Sequence, residues 1–292
     1  MEAAGSLWAI PHWMQPWDLI RQRPAMLDEA SRRGIRALEV DRVDQALLDA
    51  VPDLEFLMDS GVSPGSLIER LTRLRFLGLD TWDGPLDLRQ LRRLEWLAVG
   101  ECEAGQLDSL TDGHPSLRHL TVGKYRSADL APLGRLQLER LSMGNSRGLT
   151  SLANAGSLTE TLIGLELWML PALASLDGIE AFTGLQALTL SSVRHVTVLD
   201  WVHRLPRLRV LDVSELKTVE SLSPLAGHPS LESVEVGRTK DMDLTPLRAV
   251  PKLRLYRVPP GRWAGDLEGL PGGPGLSWQD PDYAEVLRFK NG

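Results

Sequence analysis

The chain has 292 residues and a formal net charge of -7. This charge argues against a nucleic-acid partner, because proteins that bind nucleic acid gather Lys and Arg into a basic face. Hydrophobic residues make up 43 % of the chain and charged residues 24 %, as is typical of a folded protein rather than a disordered one. Cys102 is the only cysteine, which excludes an intramolecular disulfide and a cysteine-rich zinc site and favours a reducing compartment, the cytoplasm.

The first 34 residues precede the repeat pattern described below, and we expect them to form an N-terminal cap. The chain begins without a basic stretch, and Pro11, His12 and Gln15 interrupt its apolar residues, which argues against a secretory signal. Residues 24–34 have a helical composition. No apolar run reaches the roughly 20 residues that a membrane helix needs, so we expect no membrane partner.

From residue 35 onward, a block of the form L-x-x-L-x-L recurs with a period of 19 to 24 residues, with Ile, Val, Met or Tyr in place of some leucines. The eleven blocks begin at Ile35, Leu54, Leu74, Leu94, Leu117, Leu138, Leu162, Leu185, Leu208, Leu231 and Leu253. The segments between the blocks also repeat. The sequence G-H-P-S-L occurs at 113–117 and 227–231, and D-L-x-P-L occurs at 129–133 and 243–247. These are copies of one structural unit.

The blocks and the D-L-x-P-L segments resemble the leucine-rich-repeat superfamily, and in particular the short bacterial repeats of the internalin class. The resemblance implies an α/β solenoid, a horseshoe with about 11 parallel strands on its concave face. Short 3₁₀ or helical turns and loops would form the convex face. It also implies that partners bind the concave face. Residues 35–258 would form the repeats and 259–292 a C-terminal cap or tail, because 259–261 and 271–275 are rich in Pro and Gly.

Alternation along a strand supports the same arrangement. In the block beginning at Leu208, we expect Leu211 and Val213 to point into the core, and Val210 and Asp212 onto the concave face. The ninth position of the blocks carries no Asn, so the buried turn amides must find other acceptors. The second position alternates between Arg and Glu over much of the chain, and we interpret this column as structural charge pairing between neighbouring strands.

The third position of the blocks predicts a partner-binding surface. Phe56, Phe76 and Trp96 should lie side by side on the concave face, with Met58 beside them from the fifth position. His119 and Arg140 continue the column. Exposed apolar patches usually mark interaction sites, and aromatic residues dominate interface energetics. The alternative is that the N-terminal segment covers these rings, with its three tryptophans, Trp8, Trp13 and Trp17.

An acidic set lies farther along the concave face. The fifth position carries Glu166, Asp212 and Glu235, and Trp168 flanks Glu166 on the same strand. We expect these carboxylates to select a basic partner. Asp212 and Glu235, on adjacent strands, have the spacing of a glycosidase pair, but an open strand face offers no pocket that excludes water.

The sequence therefore predicts a cytoplasmic, non-enzymatic module that binds a protein or peptide. We predict no catalytic residue, no metal site and no cofactor, since no phosphate loop, H-E-x-x-H or G-x-S-x-G motif is present. His114 and His228, in the copied turns, are expected to be structural. Two alternatives stay open: a hydrolase-like enzyme that uses the concave carboxylates, and a self-associating scaffold. The pattern does not predict the oligomeric state.

Overall fold

The computed structural model describes residues 20–21, 36–82, 84–102, 106–110, 112–216, 219–237 and 239–258. Most of the predicted N-terminal cap, including the expected helix at 24–34, lies outside these residues, as does the whole of 259–292.

The described residues form twelve strands in a single sheet, and the order of the strands in the sheet is their order in the chain. All eleven strand pairs are parallel. The strands are β1 (Ile20–Arg21), β2 (Ala37–Val40), β3 (Phe56–Asp59), β4 (Phe76–Thr81), β5 (Trp96–Glu101), β6 (His119–Gly123), β7 (Arg140–Gly144), β8 (Gly164–Trp168), β9 (Ala187–Ser191), β10 (Val210–Glu215), β11 (Ser233–Val236) and β12 (Leu255–Arg257). Strands β2 to β12 correspond one to one with the eleven blocks, which confirms the repeat. Strand β1 was not predicted; it pairs with β2 inside the range expected to form the cap.

The segments that return from one strand to the next are short, as the period predicts. Three contain single helices of four to six residues: α1 (Gln45–Ala50), α2 (Gly65–Ile68) and α3 (Leu158–Thr161). Others contain 3₁₀ turns, at Leu88–Gln90, Gln106–Leu110, Ala131–Leu133, Ile179–Ala181, Asp200–Arg204, Ser223–Leu225 and Thr245–Ala249. The three turns of the x-P-L type begin with proline at their first or second position, where its fixed φ suits the turn and its missing N–H costs nothing.

The main core lies between the sheet and these returns. On β10, Leu211 and Val213 are fully buried members of this core, whereas Val210 and Asp212 are not part of it. The predicted alternation is therefore confirmed. Since no repeat buries its apolar face alone, the fold depends on the stacking of neighbouring units.

Two histidine side chains bind backbone groups in the buried turns that precede β6 and β11. The Nδ1 atom of His114 accepts from the N–H groups of Ser116 and Leu117, and its Nε2–H donates to the Leu88 carbonyl at 3.3 Å. His228 makes the equivalent contacts in its own copy of the turn. Burial lowers the pKa of both imidazoles. The predicted structural role of these histidines is confirmed.

The second-position column forms ion pairs between neighbouring repeats, as its alternating charges predict. The nitrogen–oxygen distance is 2.6 Å in the Arg36–Glu55 pair, 2.7 Å in Arg75–Glu95 and 2.8 Å in Arg209–Glu232. These pairs are partly exposed to solvent, so each contributes at most ~1 kcal/mol and serves mainly to align adjacent strands.

Asp59 is an exception within the core column of the strands. It occupies the last position of β3, where β2 and β4 carry the core residues Val40 and Leu79. Asp59 is buried, and its Oδ1 accepts from the Gly61 N–H at 3.2 Å. Its Oδ2 has no hydrogen-bond partner in the described part of the chain. Burial raises the pKa of this carboxyl group, although interactions with the Ser63 side chain and the Gly61 N–H oppose the rise.

Candidate interaction surface

Five of the predicted site residues form one continuous column on the concave face. The strand register places Phe56 beside Phe76, Phe76 beside Trp96, Trp96 beside His119 and His119 beside Arg140. Parallel strands about 4.8 Å apart bring such side chains into contact. The repeat period therefore predicted correctly that these five residues are neighbours across the sheet.

We call Phe56, Phe76 and Trp96 the aromatic ladder. The Phe56 and Phe76 rings are stacked, with centroids 4.0 Å apart and an interplanar angle of 11°. Trp96 is tilted by 49° relative to Phe76, with its centroid 6.0 Å away. Together with Ala37, Ala98 and the half-buried Met58, these rings form an apolar cluster separate from the main core.

The expectation that the aromatic ladder is exposed is wrong. Phe56 and Phe76 are each 1 % exposed, and Trp96 is 8 % exposed. The alternating pattern placed the rings on the correct face of the sheet, but it carries no information about what lies above that face. The proposed anchors are therefore inaccessible in this structure, with only Met58 partly reachable.

The acidic set is also less exposed than its sequence positions predicted. Asp212 and Glu235 are adjacent in the β10–β11 register, but only 6 % and 4 % exposed. The Oδ1 of Asp212 accepts from the N–H of Ser214 at 2.9 Å and from its hydroxyl at 2.6 Å. These two carboxylates do not form the expected exposed rim. Of the three predicted carboxylates, only Glu166 is exposed.

Apart from Met58, the accessible residues of the predicted site lie on strands β6, β7 and β8. We call this region the central window; its residues are His119, Arg140, Ser142, Glu166 and Trp168, all of them half-buried or exposed. His119 stacks on Trp96, with centroids 4.5 Å apart and an interplanar angle of 14°. The window thus begins where the aromatic ladder ends.

Three side-by-side pairs between β7 and β8 build the window. Arg140 is opposite Gly164, Ser142 is opposite Glu166, and Gly144 is opposite Trp168. The Ser142 hydroxyl donates to the Glu166 carboxylate at 2.8 Å. A cation, a carboxylate and an indole ring therefore lie in succession along the direction of the strands.

Two glycines make this arrangement possible. A Cβ atom at Gly164 would lie 2.8 Å from Nη1 of Arg140, and one at Gly144 would overlap the Trp168 ring. Packing at this site lowers the pKa of the Arg140 guanidinium, chiefly through burial. Sequence reasoning missed the importance of Ser142, Gly144 and Gly164; the signal was glycine within a strand, which often marks a close approach by another group.

Within the described ranges, no three His, Cys, Asp or Glu side chains are grouped in a way that could hold a metal ion. None of the helices in that part of the chain is long and apolar enough to cross a membrane.

Neither the models of known protein families nor the sequences of characterised proteins match this chain. Among solved structures, the internalin InlF from Listeria monocytogenes has a similar fold, with a TM-score of 0.54 over 73 % of this chain and a sequence identity of 20 %. This chain spans 64 % of that internalin's length. Together with the single parallel sheet and its short returns, this likeness identifies the chain as a leucine-rich-repeat solenoid with an internalin-like fold.

Proposed function

We propose that this protein is a non-enzymatic module that binds a protein or peptide on the concave face, with the central window at the middle of the contact. The observation that carries the proposal is the accessible row formed by Arg140, Glu166 and Trp168 on two adjacent strands. Arg and Trp are enriched among the residues that dominate binding energy. The partner would present an apolar group to the indole and groups of both charges to Arg140 and Glu166.

Backbone packing supports a rigid site. Trp168 lies against Gly144, and Glu166 is held by the Ser142 hydroxyl. Side chains that are already ordered lose less conformational entropy when a partner binds. The window therefore has features of a preorganised contact surface, on strands rather than on loops.

The hydrolase alternative has less support. Asp212 and Glu235 are the neighbouring carboxylates on which it depends, and both are more than nine-tenths buried. A substrate would have to reach them through whatever covers that part of the concave face. The proposed compartment remains the cytoplasm, on the basis of the lone, buried Cys102.

The test uses the full chain as bait for affinity capture from its native host, followed by titration of the purified captured protein. We expect Trp168→Ala to weaken binding by about 30-fold or more, as loss of a central contact of ~2 kcal/mol would. The matched control is Val198→Ala, which truncates another exposed apolar residue, 44 % exposed and outside the sheet. Equal affinity of wild type and a folded Trp168→Ala variant would reject the window as the binding site.

A self-associating scaffold predicts a different result. Sedimentation over a wide range of protein concentration would then show assembly without any foreign protein, and Glu166→Lys would alter that assembly. A protein that stays monomeric at every concentration would exclude this alternative.

A further inference from the structure

The burial of the aromatic ladder requires atoms above it. Neighbouring rings in a column cover each other's faces, but the outer edge of each ring points away from the sheet. His119 stands in the same column and stacks on Trp96, yet it remains half-buried. Stacking within the column is therefore not sufficient to explain why Phe56 and Phe76 are only 1 % exposed.

The described part of the ladder cluster contains no candidate cover. Its buried members, Ala37, Phe56, Phe76, Trp96 and Ala98, and the partly buried Met58 all belong to strands β2 to β5. The three helices and the 3₁₀ turns contribute buried residues to the main core on the other side of the sheet instead.

Strand β1 shows where a cover could enter. Ile20 pairs with Leu38 and Arg21 with Glu39, so residues 1–19 directly precede a strand that lies next to β2. The distance from β1 to β5 is four strand spacings, or about 19 Å. Nineteen residues span about 28 Å as a helix and up to about 60 Å when extended, so this segment can reach the whole ladder.

The composition of residues 1–19 suits an apolar surface. The segment contains Trp8, Trp13 and Trp17 with Leu7 and Ile10, and it has no Lys or Arg. Two other long stretches lie outside the described residues. Residues 22–35, which connect β1 to β2, carry five charged side chains, and residues 259–292, which begin beyond β12, seven strand spacings from β5, carry eight. The desolvation of these charges would oppose burial on such a surface.

We propose that residues 1–19 lie across Phe56, Phe76 and Trp96 and use their tryptophans to cover the ladder. The ladder is then a docking site for the chain's own N-terminal segment, and a foreign partner does not reach it while that segment is in place. This inference does not depend on the proposed function of the central window.

A photocrosslinking residue at the edge of the ladder tests the proposal in the full chain. With Met58→p-benzoylphenylalanine, we expect irradiation to join position 58 to a peptide within 1–19, identified by mass spectrometry. The same residue at Glu166 is the matched control and should give no crosslink to that peptide. A crosslink from position 58 to 22–35 or 259–292 without one to 1–19, to a second copy in an isotope-mixed sample, or to no peptide at all would overturn the proposal.

Hydroxyl-radical footprinting of a Trp8→Ser, Trp13→Ser, Trp17→Ser variant gives a second readout. We expect labelling of Phe76 and Trp96 to increase several-fold, while the main-core residues Trp82 and Trp201 stay protected. Unchanged protection of Phe76 and Trp96 in a variant whose main core is intact would contradict the proposal. If Trp82 and Trp201 also become labelled, the variant has unfolded and the crosslink decides.

Discussion

The aromatic ladder and the first residues of the central window occupy the same position in successive repeats but differ in accessibility. Phe76 and Arg140 both come from the third position of a block, on strands only three apart, yet Phe76 is fully buried and Arg140 is half-buried. The period thus determines the face on which a side chain lies. It does not determine whether that side chain is accessible to a partner.

The largest expected effect is a difference in stability between a variant of the aromatic ladder and a variant of the central window. Phe76→Ala should lower the free energy of unfolding by about 3–5 kcal/mol, because it removes a buried ring and leaves a cavity. Arg140→Ala, in the same column, should cost no more than about 1 kcal/mol, since its side chain is partly solvated. Chemical denaturation measures both. A cost below about 1 kcal/mol for Phe76→Ala would mean that the ladder is exposed in solution.

The second prediction concerns Gly144, against which the Trp168 ring of the central window packs. Gly144→Ala should destabilise the protein by about 1–3 kcal/mol and displace the Trp168 ring, because the new Cβ overlaps it. Near-ultraviolet circular dichroism and thermal unfolding would detect these changes. Gly184→Ala is the control, since its Cβ would have no neighbour closer than 3.6 Å. Similar behaviour of the two variants would show that Trp168 does not pack on β7.

A third prediction uses the other face of a ladder strand. Asp59→Leu should stabilise the protein by about 1–2 kcal/mol, because a buried carboxyl group that lacks a partner for one oxygen is replaced by an aliphatic side chain like those of β2 and β4. Asp80→Asn, at an exposed position, should change stability by less than about 0.5 kcal/mol. A loss of stability in Asp59→Leu would show that the contacts of the carboxyl group with Gly61 and Ser63 outweigh the cost of its burial.

The smallest expected effect concerns how local stability depends on pH near neutrality. His114 holds the turn into β6, the first strand of the window, and burial keeps its folded-state pKa below the ordinary value of 6.5. The unfolded chain therefore binds a proton more readily, and stability falls as the pH drops through about 6.5. Hydrogen-exchange protection factors should decrease in 112–123 before they decrease in 74–81. In His114→Asn, the difference in pH dependence between the protection factors of 112–123 and 74–81 should become smaller. An unchanged difference would show that His114 is not its cause.

The sequence predicted most of the repeat architecture because Leu and Val recur at the core positions of every block. All eleven strands of the blocks were found where the pattern placed them. Strand β1 was missed because its two residues contain no block. The aromatic column was aligned correctly, since Phe56, Phe76 and Trp96 share one position.

Other features of the site were not predictable from the pattern. The burial of Phe76, Asp212 and Glu235 was not predicted, because alternation along a strand indicates the face of the sheet but not the exposure of that face. The support that Gly144 gives to Trp168 becomes visible only once the register of β7 and β8 is known. The repeat positions therefore predict which residues are neighbours in the sheet better than they predict which residues are exposed to solvent.

The identity of strand order and chain order has a consequence for how a ligand would act on this protein. Each strand of the described sheet is hydrogen-bonded only to its predecessor and its successor in the chain, so stability depends mainly on contacts between consecutive repeats. A ligand that contacts β6, β7 and β8 together would stabilise three consecutive repeats. Local unfolding of these central repeats would become rarer, while fraying at the two ends of the sheet would continue almost unchanged.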